Sequence, residues 1–312
     1  MKLPLPLGML HPMPTVSRLT PALPAKRIDL DSPAGPLSLY SDRPEGTGVG
    51  LPPLLLVHSV NAAASAAEIA PLFAHYRQQR AVYALELPGF GFSDRSERPY
   101  TPRLMTDALH AALTAIQAEQ GGAAVDVLAV SLAGEFAARA KCEAPHSIRR
   151  LALVSPTGFR GAKLRYGLAG STLGLPWLYR LLTWSGWRQG IFNTLTRPGV
   201  VRYFLRRTWG GQAIDEALWR YCVLTARQPG ASNAPFYFVS AFLFSADINT
   251  LYEALDCPVW VSMATRGDFT DYQSRYTVSG RANWQFQAIE GGALPYFEDL
   301  PGFASRLDPF WI

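Results

Sequence analysis

Ser131 lies in a short segment whose residue types suit a nucleophilic serine. Residues 129–134 read A-V-S-L-A-G, directly after an apolar run and directly before a helical pattern. A serine on a tight strand-to-helix turn needs small residues two positions before and two positions after it, and Ala129 and Ala133 meet that need. Such a turn would lift the hydroxyl above a sheet and point the backbone N–H of Leu132 at a developing oxyanion. The alternative is that Ser131 only caps the following helix.

The chain also predicts the elements that this turn requires. Short apolar runs alternate with helical patterns, which is typical of a mostly parallel sheet with helices on both faces. An opening antiparallel hairpin and a continuous apolar strand, of the kind buried on both faces, come first. The predicted fold class is α/β with eight strands flanked by helices, the strands falling at 26–32, 35–42, 52–60, 81–87, 125–131, 149–155, 257–263 and 284–290.

Residues 159–243 interrupt the alternation, because they carry helical patterns and no convincing strand. We interpret them as an inserted helical cap, called the cap segment below. The predicted domains are a proline-rich N-terminal extension (1–25), an α/β core (26–158 and 244–312) and the cap segment.

The cap segment is rich in tryptophan and arginine and contains only two acidic residues. Tryptophan and leucine at helical spacing most often pack against a core, which is one interpretation. Arginine with tryptophan on amphipathic helices also suits peripheral contact with an anionic membrane surface, or recognition of an acidic or phosphorylated substrate tail.

Two further segments, together with the serine turn, resemble the α/β-hydrolase family, and the resemblance covers nearly the whole chain. Residues 54–59 (LLLVHS) look like the family's third strand and His-Gly oxyanion turn, with serine in place of the usual glycine. Residues 86–94 (ELPGFGFSD) are similar to the family's D-x-x-G-x-G-x-S signature. The resemblance implies an α/β-hydrolase fold in which the backbone N–H groups of Val60 and Leu132 form the oxyanion hole and His58 is structural.

The resemblance also assigns an acid and shows where a histidine is missing. Asp268 matches the family's aspartate that orients the catalytic histidine, and Asp271 is a second choice for this acid. The alternative role for Asp268 is to close a turn in the loop. Residues 289–301 resemble the family's G-x-G-H-x-P-x-x-E-x-P segment, but Ala293 occupies the histidine slot, and no histidine follows His146. A serine hydroxyl is a poor nucleophile without a base, and losing a triad member lowers turnover by about four to six orders of magnitude.

Composition limits the other classes of function. With 312 residues, 48% hydrophobic and 17% charged, the chain can form one core with an insertion and is not wholly disordered. Three scattered cysteines lack disulfide-framework and metal spacing, so we expect reduced thiols, a cytoplasmic location and no metal or cofactor. No run reaches the roughly 18 apolar residues of a membrane span. Without a recognised binding module, the net charge of +5 does not indicate a nucleic-acid partner.

Two main hypotheses remain. The first is an enzyme that hydrolyses an ester, lactone or similar carbonyl compound in an apolar capped pocket, with Ser131 as nucleophile, Asp268 as acid, Val60 and Leu132 as oxyanion donors, and no base identified. The second is a non-catalytic protein that binds a small apolar ligand in its cleft, or a partner or anionic lipid surface through its basic aromatic cap. A third is that Ala293 was introduced to silence an active enzyme. Oligomeric state is not indicated.

Overall fold

The computed structural model describes residues 18–44, 51–267 and 269–312, and these fold around one eight-stranded sheet. Its strands are β1 (Lys26–Leu30), β2 (Leu37–Asp42), β3 (Leu54–Val57), β4 (Val82–Glu86), β5 (Val125–Val130), β6 (Ile148–Val154), β7 (Val259–Ala264) and β8 (Trp284–Ile289). Their order across the sheet is β1-β2-β4-β3-β5-β6-β7-β8. The β1–β2 and β2–β4 pairs are antiparallel and all other pairs are parallel. The predicted α/β class, opening hairpin and eight strands are confirmed.

The central strands are buried on both faces. In β3, Leu55 and Val57 belong to one apolar cluster, whereas Leu54 and Leu56 belong to the other. Successive side chains of a strand point to opposite faces, so a strand covered on both sides is apolar at most positions. This is why β3 is a continuous apolar run.

Helices provide the cover. They are α1 (Ala70–Tyr76), α2 (Pro102–Glu119), α3 (Ala133–Glu143), α4 (Pro176–Leu182), α5 (Arg188–Leu195), α6 (Pro198–Trp209), α7 (Glu216–Thr225), α8 (Asn233–Val239), α9 (Ile248–Ala254) and α10 (Leu300–Trp311). Side chains of α2, α3 and α9 pack on one face of the sheet, and those of α1 and α10 pack on the other. Short 3₁₀ helices lie at Ala66–Ile69, Gln273–Thr277 and Pro295–Phe297.

Six helices, α4 to α9, follow one another between β6 and β7. The structure describes every residue of this stretch, which contains no strand and one isolated bridge, between Thr172 and Ser245. Phe192, Trp209 and Phe236 anchor it in the apolar cluster on the α1 and α10 side. In the described ranges, no helix has both the length and the apolar character needed to cross a membrane.

Candidate active site

Ser131 occupies the turn between β5 and α3. β5 ends at Val130 and α3 begins at Ala133, so two residues connect them. Ser131 has a φ of 54°, in the left-handed region that residues other than glycine rarely adopt. Its N–H donates to the carbonyl of Val154 at the end of β6 (2.8 Å). The structure thus places Ser131 on a sharp, strained corner that the neighbouring strand holds in place.

The Ser131 hydroxyl is not used for structure. The residue is half-buried, and no described group forms a hydrogen bond with the hydroxyl. The N-cap of α3 is Leu132, and no side chain caps the helix. The alternative interpretation, in which Ser131 caps α3, is therefore wrong.

Two backbone donors are available for an oxyanion. Among the described residues, neither the N–H of Val60 nor that of Leu132 has an acceptor, and both residues are buried. The Leu132 N–H lies at the start of α3, where unpaired N–H groups and the helix dipole favour negative charge. Unpaired donors of this kind can stabilise the oxyanion of an acyl-transfer intermediate.

Buried Glu68 fixes the turn that carries Val60. Its carboxylate accepts hydrogen bonds from the Ser59 N–H (2.9 Å) and from the Asn61 side-chain amide (2.6 Å). The Asn61 side-chain carbonyl in turn accepts from the Ala63 N–H (2.8 Å). Burial raises the pKa of Glu68, and the bonds from Ser59 and Asn61 act in the opposite direction. One carboxyl group thus holds the residues on both sides of Val60.

Glu68 also connects this turn to the loop that contains Ala293. The hydroxyl of Tyr296 donates to the backbone carbonyl of Glu68 (2.8 Å). The motifs in the sequence do not mark Glu68 as a functional candidate. The available signal was a single acidic residue in the alanine-rich stretch 62–70, because a carboxylate on a buried element needs partners.

Ala293 lies against the cap segment. The residue is 6% exposed, and its N–H donates to the Thr208 carbonyl (2.8 Å) near the end of α6. A Cβ atom added at Gly292 would lie 2.5 Å from the Thr208 carbonyl oxygen, and one added at Gly267 would lie 2.3 Å from the same atom. The end of α6 therefore packs directly on the loops that follow β7 and β8.

The acid assigned to Asp268 lies outside the described residues. The second choice, Asp271, is exposed and accepts hydrogen bonds from the N–H groups of Gly161 (2.8 Å) and Gln273 (3.1 Å). These two bonds lower the pKa of Asp271. Asp271 thus closes turns, which is an ordinary structural use of aspartate.

His58 is buried and cannot act as the base. Its Nδ1–H donates to the Ser59 carbonyl (2.6 Å) and its Nε2 accepts from the Leu87 N–H (3.1 Å), which fixes the tautomer. Burial lowers the pKa of His58 to about 4. The ring is therefore neutral, with both nitrogens occupied in structural hydrogen bonds.

The other described histidines are engaged elsewhere. His75 on α1 pairs with an aspartate of α10 (3.5 Å). His110 pairs with Glu143 at the far end of α3 (2.9 Å), and exposed His146 follows that end. Because α3 has 11 residues, it is about 16 Å long, and Ser131 lies at its other end. No described imidazole is therefore positioned to take the Ser131 proton.

The segment 86–94 forms a turn around Glu86. The Glu86 carboxylate accepts from the Phe92 N–H (2.5 Å), and the Ser93 hydroxyl donates to the Glu86 carbonyl (2.5 Å). Gly91 has a φ of 51°, and a Cβ atom there would lie 1.8 Å from the Glu86 carboxyl carbon. Only glycine fits, so these signature residues shape a turn.

Glu135 anchors both ends of the cap segment, a role that no sequence motif indicates. Its buried carboxylate accepts from the Thr157 hydroxyl (2.6 Å), just before the segment, and from the Ser245 N–H (2.7 Å), just after it. Burial raises the pKa of Glu135. Because Glu135 lies four residues after Ser131, the cap segment is tied to the serine corner.

Comparison with known proteins agrees with this architecture. Residues 52–204 match the family model for the alpha/beta hydrolase fold. With its eight-stranded, mostly parallel sheet, the chain has the α/β-hydrolase fold. No curated protein matches the chain in sequence.

Solved structures share the fold at low sequence identity, which shows the fold alone. One is a membrane phospholipase A described as a bacterial virulence factor (18% identity, TM-score 0.66, covering 92% of this chain and 85% of that one). Another is a carboxylesterase from Bacillus subtilis (15% identity, TM-score 0.65, covering 92% and 91%). A third is an enol-lactonase from Burkholderia xenovorans (14% identity, TM-score 0.61, covering 91% and 99%).

Proposed function

We propose that the chain hydrolyses an ester, a lactone or a similar carbonyl compound through Ser131. The supporting observation is a strained serine whose hydroxyl bonds to no described residue, in a fold where two buried backbone N–H groups also donate to none of them. In this proposal the hydroxyl attacks the carbonyl carbon, Val60 and Leu132 stabilise the oxyanion, and Asp268 is the acid. The names of three fold neighbours, a carboxylesterase, an enol-lactonase and a phospholipase A, support this substrate class.

Hydrolysis through Ser131 should be slow. A serine hydroxyl attacks slowly unless a base removes its proton, and the described part of the chain offers no imidazole for this step. The proton would pass to water or hydroxide. We therefore expect slow turnover of activated esters, about four to six orders of magnitude below an intact triad.

A fluorophosphonate probe tests the proposal, because it forms a bond to a reactive serine oxygen and releases fluoride. We expect mass spectrometry to place the label on Ser131 and S131A to abolish it. Ser155 offers a matched control, since it also has a positive φ (46°) and follows the adjacent strand β6; S155A should label like the wild type. A folded wild-type protein without label on Ser131 after prolonged incubation with excess probe would refute the proposal.

A non-catalytic binding role is the second candidate. The observation that favours it is that Ala293, at the position which the sequence resemblance assigns to the histidine, packs beneath the end of α6. In this role the cleft binds a small apolar ligand and leaves it intact. p-Nitrophenyl butyrate separates the two candidates, because binding alone raises Tm without releasing p-nitrophenol, whereas the enzymatic role requires release that depends on Ser131.

A further inference from the structure

The cap segment presents an apolar helix face to solvent. On α4, Trp177 and Leu181 are spaced at i and i+4 and share one side of the helix, and Trp184 follows two residues after the helix ends. Trp177 is 64% exposed and Trp184 is 63% exposed. No residue of α4 is buried. We call these three residues, together with Trp187, the aromatic face.

The exposure is not a consequence of a loosely attached helix. The opposite side of α4 packs on the protein through Tyr179, whose ring lies 4.4 Å from that of Tyr237 and 5.9 Å from that of Phe242. α4 is therefore oriented by its own contacts, and it keeps the aromatic face outward. Solvent-exposed apolar patches of this kind mark interaction surfaces.

The aromatic face is also ordered within itself. The rings of Trp184 and Trp187 stack with centroids 6.1 Å apart, and the Trp187 indole N–H donates to the Leu181 carbonyl (2.7 Å). Tryptophan combines a large apolar ring with a polar N–H, so it favours the boundary between water and lipid headgroups. Our expectation that cap tryptophans pack in the core applies to Trp209, which is buried, and not to this face.

Basic residues predominate in the segment that carries the aromatic face, although Glu97 pairs with Arg188, the residue after Trp187 (2.9 Å). No aspartate or glutamate occurs from residue 144 to residue 214. Several exposed cap arginines form no ion pair with any described residue: Arg180, Arg197, Arg206, Arg207, Arg220 and Arg227. Arg180 lies on α4 itself, between Trp177 and Leu181. Two such surfaces would repel each other, so the charge favours an anionic partner over a second copy of the chain.

We propose that the aromatic face docks the protein on the surface of a bilayer rich in anionic lipid. Tryptophan and leucine would enter the headgroup region, and the arginines would bind lipid phosphates. The inference goes beyond the proposed hydrolysis, since it does not require Ser131 to react.

Vesicle sedimentation tests the docking. The full chain should sediment with vesicles of phosphatidylcholine and phosphatidylglycerol at low salt, and much less with phosphatidylcholine alone or at high salt. W177A/W184A should lower the partition coefficient about tenfold or more, because it removes two interfacial rings. R180E should lower it further in anionic vesicles only.

Two variants serve as controls. Y276A removes an aromatic side chain that is also 63% exposed but lies outside the cap segment, so its binding should equal that of the wild type. S131A should also bind like the wild type, which separates this proposal from the hydrolytic one. Equal binding to neutral and anionic vesicles would overturn the proposal, and so would an equal loss of binding in Y276A. It would also be overturned if the protein does not bind vesicles and instead forms dimers that W177A/W184A abolishes.

Discussion

Ser131 has a strained backbone conformation, with a φ of 54°. A non-glycine residue in the left-handed region costs about 1–3 kcal/mol, and such strain persists when the surroundings determine it. Here β6 supplies the constraint through Val154, while buried Ala129 and Ala133 leave room for the corner. The strain, and a hydroxyl that bonds to no residue in the described ranges, are together the reason for treating this residue as reactive.

Introducing an imidazole at position 293 is the most direct test of the proposed site. If the remaining groups are arranged for catalysis, A293H should raise p-nitrophenyl butyrate hydrolysis about 10²–10⁴-fold, because a positioned general base contributes that much. The larger side chain should also cost about 1–3 kcal/mol of stability, since Ala293 is closely packed. Steady-state kinetics and urea unfolding measure the two effects.

Double variants show whether the gain comes from the expected groups. S131A/A293H should return to the background rate, and D268N should reduce the A293H rate while D271N should not. No gain in a folded A293H protein would count against a catalytic arrangement of Ser131, Val60 and Leu132.

His58 predicts a specific pH dependence. Its pKa is about 4 in the folded protein because of burial, compared with 6.5 when unperturbed. Between these values the unfolded state binds a proton that the folded state does not, so the free energy of unfolding falls as pH decreases from 6.5 to 4. The decrease from this group amounts to about 3 kcal/mol.

Urea unfolding of the wild type and H58Q between pH 4 and 7 isolates this effect. Burial raises the pKa of Glu68, Glu86 and Glu135, which gives the opposite sign, but both proteins share those groups. The difference between the two stability curves should shrink toward acid. A constant difference across this range would contradict the assignment of a neutral, buried His58.

The serine corner could be predicted from sequence, but its supporting carboxyl groups could not. The corner depends on local features, namely an apolar strand, small residues and a following helix. Glu135 acts through Ser245, 110 residues away, and Glu68 acts through a turn nine residues earlier. Such roles depend on tertiary contacts, which composition and spacing do not contain.

At the scale of elements, main-chain atoms at the end of α6 pack closely against main-chain atoms of the loop after β8. G292A should destabilise the protein by about 1–3 kcal/mol, because its Cβ atom would meet the backbone of Thr208 and Trp209 at 2.5 Å. Thermal unfolding measures the change, and limited proteolysis should show faster cleavage in the cap segment. G280A is the control, since a Cβ atom there meets nothing within 4 Å; equal Tm values for the two variants would contradict the tight fit.

Strand positions were predictable because each parallel strand is a short apolar run, yet their ends were not. The run at 52–60 yields only β3, Leu54–Val57. His58 and Val60 are as buried as the strand, but they form the turn that presents the Val60 N–H. Buried residues form one continuous run in the sequence, whether their backbone pairs with a neighbouring strand or leaves the sheet.

At the scale of the whole molecule, a buried ion cluster connects the sheet to the C-terminus. Asp126 on β5 accepts from Arg80 (2.5 Å) and Arg149 (2.7 Å), and Arg149 also donates to the Trp311 carbonyl (2.5 Å). The side chains of Arg80 and Asp126 are fully buried. Removing one partner of such a cluster leaves a charge without compensation.

D126A should therefore lower the free energy of unfolding by about 3–5 kcal/mol, as measured in urea. Asp107 provides the comparison, because it pairs with Arg103 (2.8 Å) on the surface of α2. D107A should change stability by less than about 1 kcal/mol. Similar losses in both variants would argue that the buried cluster does not hold the core together.

The bond between Ala293 and Thr208 joins two main-chain atoms, and this decides how freely position 293 can be altered. Every amino acid except proline retains the donor, so a library of side chains at 293 can be screened for new chemistry without releasing α6 by loss of that bond. A293P alone would remove this hydrogen bond, and it would show how far the position of α6 depends on a single backbone amide.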